Sequence, residues 1–103
     1  MKEFEFLLHT TGVEIPIGDG PPAIGFYTSR RVYGVDLATA TKNVLRSFRS
    51  EPKIRDIFDR ATKAGLEPQV DIEKSTKIGL LDQLKPYRRP GLAFYSTEGD
   101  LED

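Results

Sequence analysis

Residues Lys2 to Thr10 alternate between apolar and polar positions, with Phe4, Phe6 and Leu8 on one side and Glu3, Glu5, Leu7 and His9 on the other. A period of two with aromatic content predicts a half-buried strand. The segment from Thr11 to Pro22 holds Gly12, Pro16, Gly18, Gly20, Pro21 and Pro22. Glycine admits unusual backbone angles and proline removes a donor, so regular structure is expected to stop here. Val13, Ile15 and Ile17 alternate inside it and suggest a short edge strand. From Ala23 to Val35 the alternation returns, with Ile24, Phe26, Thr28 and Val32 in one phase and Tyr27, Ser29, Arg31, Tyr33 and Val35 in the other. Such a strand would span ~43 Å at 3.3 Å per residue. That length predicts a bend or bulge near Ser29–Arg31, or an arm extending past the sheet.

The period then changes to that of a helix. Asp36 is placed to cap it, and Leu37, Ala40, Val44, Leu45 and Phe48 form one stripe. Ser50-Glu51-Pro52 restarts the pattern, with Ser50 as the expected cap and proline tolerated in the first turn. Ile54, Ile57, Phe58 and Ala61 form the second stripe, and Gly65 is the expected terminator, with Leu66 folding back. Gln69 to Glu73 alternates again, with Val70 and Ile72 opposed to Asp71 and Glu73. Ile78 to Leu84 reads as a turn or loop anchored by Leu80, Leu81 and Leu84, and Lys85 to Gly91 as irregular. Leu92 to Thr97 reads as a last strand, with Leu92 and Phe94 opposed to Ala93 and Tyr95, and residues 98–103 as a frayed acidic tail.

The order is therefore β-β-α-α-β-β. Strands at both ends with helices between them predict a single α+β domain, residues 1–103: a four-stranded antiparallel sheet with two helices on one face. The expected core is Phe4, Phe6, Leu8, Ile24, Phe26, Val70, Ile72, Leu92 and Phe94, facing the two helical stripes. The opposite phase contains Leu7, His9, Tyr27, Tyr33, Ala93 and Tyr95. A face given wholly to water carries more charge than this. Tyrosine joins an apolar ring to a polar tip and suits a partly dry surface, although it also favours strands for its own sake.

Composition narrows the function classes. The chain has 103 residues and no cysteine, which excludes disulfides and thiol chemistry. The first residues are acidic and alternating, unlike a signal peptide, and no apolar run approaches ~20 residues, so a soluble cytoplasmic protein away from membranes is expected. Charge is uneven: residues 1–29 carry one Lys against four acids, residues 30–63 nine Lys/Arg against four, and residues 64–103 five against eight. The basic middle raises phosphate binding through Arg46, Arg49, Lys53, Arg55, Arg60 and Lys63, with Tyr87-Arg88-Arg89 adding a stacking ring. Asp56 and Asp59 stand at pairing distance from Arg60 and Lys63, and no nucleic-acid-binding signature is present, so nucleic acid is not the expected partner.

No spacing marks a catalytic set. His9, beside Glu5, is the only histidine, and a lone histidine needs a nucleophile and a polarising group to do chemistry. Gly18-Asp19-Gly20-Pro21-Pro22 lacks the lysine and hydroxyl of a phosphate loop. Asp71 and Glu73 share a strand face, but two carboxylates without a third ligand suit water better than a cation. No catalytic residue, metal site or cofactor is assigned. The stretch Gly25-Phe26-Tyr27-Thr28-Ser29-Arg30-Arg31-Val32, running into an alanine-bearing helix, resembles a segment of small uncharacterised bacterial proteins with no established activity. It implies no function.

Three readings remain. The first is a non-enzymatic binding or assembly module that forms a homodimer or higher oligomer through the tyrosine-bearing face or the long strand. The second is a small enzyme or ligand-binding domain that takes a small molecule on that face or between subunits through His9, Tyr27, Arg31 and Tyr95. The third is a nucleic-acid binder through the basic helices. The residues singled out for contact are Tyr27, Arg31, Tyr33, Tyr95 and His9.

Overall fold

A computed structural model describes residues 1–79 and 91–96. The elements are β1 (Lys2–Ile15), β2 (Ala23–Gly34), α1 (Leu37–Ser50), α2 (Pro52–Lys63), β3 (Gln69–Lys77) and β4 (Ala93–Tyr95). The strands form one antiparallel sheet in the order β3-β1-β2-β4. The α+β architecture expected from the alternation is the one present. The expected features at residues 80–90 and 97–103 lie outside the described residues.

The core lies between one sheet face and the helices. Phe4, Phe6, Leu8 and Phe26 from the sheet meet Ala40, Val44, Phe48, Ile54, Ile57 and Ala61 from the helices, with Val70, Ile72 and Leu92 packed at its margin. Two expected core residues depart from this. Ile24 is 41% exposed and Phe94 is 37% exposed. The β1–β2 register shifts between Thr11 and Ile15, so Ala23, paired with Ile15, takes the buried position in place of Ile24. Phe94 sits on a three-residue edge strand and meets Phe26 edge-on, with ring centroids 5.7 Å apart.

The two long strands correct two expectations. Regular structure does not stop at Thr11: β1 continues to Ile15 across a distortion at Gly12, whose φ is +69°. A side chain at Gly12 would strike the backbone carbonyl of Glu67, so glycine lets the chain turn without breaking the ladder. Nor does β2 bend at Ser29–Arg31. It pairs with β1 without interruption from Gly34 to Gly25, because β1 is long enough to support it. The irregularity lies on the other side of β1. Leu7 pairs with Lys74 and Leu8 with Ile72, which leaves Glu73 as an extra residue in β3. The strand then runs on to Lys77, four residues beyond the expected end.

The helix ends differ from one another. Asp36 caps α1 by accepting from the Thr39 amide at 2.8 Å. The Thr39 amide, and then its hydroxyl, hold the Asp36 carboxyl below its ordinary range. Ser50 does not cap α2, because its hydroxyl donates back to the Ser47 carbonyl at 2.7 Å. Glu51 occupies the cap position, but its carboxylate is held elsewhere, by Arg30. At the far end Gly65 takes a φ of +85° and the Leu66 amide returns to the Ala61 carbonyl at 2.9 Å, as expected.

Arg30 is the unexpected member of the helix-covered face. It lies in the phase of Phe26, Thr28 and Val32 and pairs opposite Phe6. Its guanidinium donates to both Glu51 oxygens at 2.9 and 3.0 Å, and to the Thr28 hydroxyl and Ser29 carbonyl at 2.7 Å each. It also lies 5.4 Å from the Phe48 ring centroid. A planar fork suits this work, because it aims four of its five N–H donors at acceptors inside an apolar setting. The ion pair ties the middle of β2 to the start of α2.

Candidate functional site on the open sheet face

Both helices pack on one side, so the other side of the sheet carries the odd-numbered residues of β1 and β2. From β1 come Glu3, Glu5, Leu7 and His9, and opposite them on β2 stand Tyr33, Arg31, Ser29 and Tyr27. Ala93 and Tyr95 join from β4, opposite Tyr27 and Gly25.

His9 is at the centre of a side-chain cluster. Its Nδ1 lies 3.2 Å from Glu73 Oε1 and its Nε2 lies 2.5 Å from Tyr95 Oη. A carboxylate only accepts, so Nδ1 carries the proton in the neutral ring and Nε2 accepts from the Tyr95 hydroxyl. The Tyr27 ring stacks on the imidazole, with centroids 4.2 Å apart and planes 6° from parallel. Tyr95 completes the group with its ring 6.0 Å from Tyr27. The chain Glu73–His9–Tyr95 thus links β3, β1 and β4, passing over β2.

Two backbone features make it possible. The first is Gly25, directly beneath Tyr95: a Cβ there would meet the Tyr95 phenol and the Thr10 carbonyl. The second is the extra residue at Glu73. Asp71 lies opposite His9 on the open face and Ile72 opposite Leu8 on the covered face. Strict alternation would then send Lys74 to the helix side. The bulge resets the phase, so Glu73 turns to His9 and Lys74 also stands on the open face, opposite Leu7.

Beside this cluster the sheet dips. Glu5, Leu7, Ser29, Lys74 and Thr76 line a shallow basin of about 300 Å³. The short Ser29 side chain, between the longer Tyr27 and Arg31, leaves the room. Arg31 lies 3.5 Å from Glu5, its cross-strand neighbour, at the rim. A second hollow of about 290 Å³ lies on the helix side, lined by Arg30, Glu51, Pro52, Lys53, Ile54, Gly91 and Leu92.

Of the five residues singled out in the sequence, three come together: His9, Tyr27 and Tyr95. Arg31 stands two positions along β2 from Tyr27 and belongs to the basin rim. Tyr33 lies at the far end of the strand and is 52% exposed. Glu5 is not the partner of His9, since it faces Arg31; Glu73 takes that place. The partner was hidden because a bulge has no signature in alternation and β3 contacts β1 across more than sixty residues of chain. Glu73 and Tyr95 reach opposite nitrogens of the imidazole, so these three groups do not converge on one point where an ion could sit. Among the described residues, no three His, Asp or Glu side chains gather as metal ligands, and no helix is long and apolar enough to cross a membrane.

Fold and site together define a two-layer α+β domain with one sheet face that, among the described residues, is free of helices and is organised around a hydrogen-bonded histidine. No family model, curated protein or solved structure matches the chain.

Proposed function

We propose that the chain is a binding and assembly module whose open sheet face meets the same face of a second copy. The observation that supports this is internal pairing. Glu5 is matched by Arg31, and Glu73 by His9, which also engages the Tyr95 hydroxyl. Stripping water from a charge is costly unless a partner is already in place. Here Glu5 and Glu73 have partners in place before any contact, around the apolar surfaces of Leu7 and Tyr27. A two-fold contact uses one self-complementary patch on both copies, which a single sheet face supplies.

The size of the face sets the expected strength. Ten consecutive β1–β2 pairs, Lys2↔Gly34 to Thr11↔Gly25, give a ladder ~30 Å long. Four strands at ~4.8 Å spacing make it ~14 Å wide. With side-chain relief this falls at or below the ~800 Å² per partner of a standard complex. Association in the micromolar range is the expected outcome. Phosphate binding through the helices has less support, because Arg60 is held by Asp56 at 3.2 Å and Arg49 lies over the Phe58 ring.

Sedimentation velocity over a concentration series tests the proposal. A dimer is expected, and Tyr27→Glu should return it to monomer by placing an unmatched charge on the face. A protein that stays monomeric to about 100 µM, a limit of roughly 5.5 kcal/mol of association free energy, would overturn the reading.

A further inference from the structure

We infer that assembly through the open face takes up protons at His9, so that two copies join more tightly in mild acid than in mild base. This rests on the face-to-face contact proposed above and names what regulates it.

The charges on the face set the problem. From Glu3 to His9, the open side of β1 and its partners on β2 and β3 carry Glu3, Glu5, Asp71 and Glu73 against Arg31 and Lys74. A two-fold contact sets this patch against its own copy. An excess of negative charge then meets the same excess where water has left, and charges there interact more strongly. Within this patch His9 is the one side chain, among the described residues, of a type that titrates between about pH 5 and pH 8.

An imidazolium finds a partner on each element packed against it. From β3, Glu73 Oε1 lies 3.2 Å from Nδ1, and Asp71 stands opposite His9 in register. From β2, the Tyr27 ring stacks with centroids 4.2 Å apart and turns its π face to the cation. From β4, the Tyr95 oxygen lies 2.5 Å from Nε2. A hydroxyl accepts as well as it donates, so this contact survives protonation with its direction reversed. Along β1 the nearest charge on the same face is Glu5, which Arg31 already matches.

Burial by itself opposes a charged imidazole. The exposures decide which cost is larger. The His9 side chain is 17% exposed in the single copy and has little water left to lose, whereas that of Glu73 is 44% exposed. Docking therefore strips more water from the carboxylate than from the ring. A neutral imidazole offers Glu73 a hydrogen bond but no charge. A proton on His9 turns that contact into an ion pair and lowers the charge excess on both faces. Association that takes up protons strengthens as pH falls through the imidazole range, and the gain is lost as pH rises through it. Carboxylates titrate about two units lower, so the window from about pH 8 to about pH 6 isolates His9.

Sedimentation velocity of the full chain at the two ends of that window is the test. The dimer dissociation constant should fall by about tenfold on acidification, a mean uptake of about half a proton per dimer. His9→Asn keeps an amide donor for Glu73 without a titrating group, and its dissociation constant should be the same at both ends. A second measurement avoids any substitution. His9 is the only histidine in the chain, so its Hε1 proton gives a single NMR resonance. The pH at which that resonance is half shifted should rise as the wild-type protein is concentrated through the sedimentation midpoint. A dimer equally strong at both ends of the window, or weaker in acid, overturns proton uptake and leaves the assembly standing. So does an Hε1 titration that is independent of protein concentration, or a His9→Asn dimer with the pH dependence of the wild type. A monomer at both ends overturns the assembly and this inference with it.

Discussion

The two faces of the sheet solve the same problem by opposite means. The covered face is dry because helices exclude water, and it is built from Phe4, Phe6, Leu8 and Phe26. Among the described residues the open face has no helix over it, and it gains order through paired polar groups: Glu5 with Arg31, and His9 with Glu73 and Tyr95. Burial on the first face is non-directional and tolerates variation in shape. Pairing on the second is directional, and each member depends on the position of another. The covered face therefore carries stability, and the open face carries geometry.

Neighbouring residues on β1 give the sharpest way to break this comparison. Phe6 is wholly buried and Leu7 is only partly so. Phe6→Ala should cost about 3–5 kcal/mol in urea unfolding, and Leu7→Ala well under about 1.5 kcal/mol. Equal losses would mean that the open face is covered as tightly as the other.

Arg30→Ala is next. Removing one member of a nearly buried, bidentate pair takes the guanidinium away from the Glu51 carboxylate and should cost about 3 kcal/mol. The double change Arg30→Met with Glu51→Leu should recover most of that loss, because the penalty comes from the stranded charge. Failure of the double change to recover stability would instead make the ion pair a specific anchor of α2.

Gly25→Ala should cost about 1–3 kcal/mol through overpacking, and it should displace Tyr95 from His9. Adding Tyr95→Ala to it should relieve part of the strain, since the Thr10 carbonyl still opposes the new methyl group. A single change with no effect on the His9 imidazole resonances would show that β4 is not held by this contact. Smaller still, Tyr95→Phe should cost about 1 kcal/mol, the worth of one hydrogen bond.

The smallest effect concerns Asp36, away from both faces. Its folded carboxyl is held below its ordinary range, so its contribution is present above that range. It is lost as pH falls through the lowered folded value. Asp36→Ala should therefore weaken the protein slightly at neutral pH and make no difference in strong acid. An equal deficit at both ends of a pH series of thermal melts would assign the loss to helix propensity instead of the cap.

Much of this molecule was legible in one dimension. Alternation marks β1, β2 and the start of β3, and the 3.6-residue stripes mark both helices, because these periods are local properties of the backbone. Asp36 and Gly65 were readable for the same reason, since caps act within one turn. The tyrosine-bearing phase was visible too, and with it the face on which to look. What the sequence could not show is every feature that depends on one strand meeting another. The extension of β1 through Gly12 needs β2 to support it. Ala23 replaces Ile24 in the core only because the register shifts. Arg30 reads as a break in an apolar phase until Glu51 arrives from α2. The partner of His9 is Glu73 and not the nearby Glu5, because a single extra residue in β3 sets which side chains face which way. Local sequence thus determined the elements and their apolar faces, whereas strand register, which is a contact between distant parts of the chain, decided where the charged and hydroxyl groups of the open face meet.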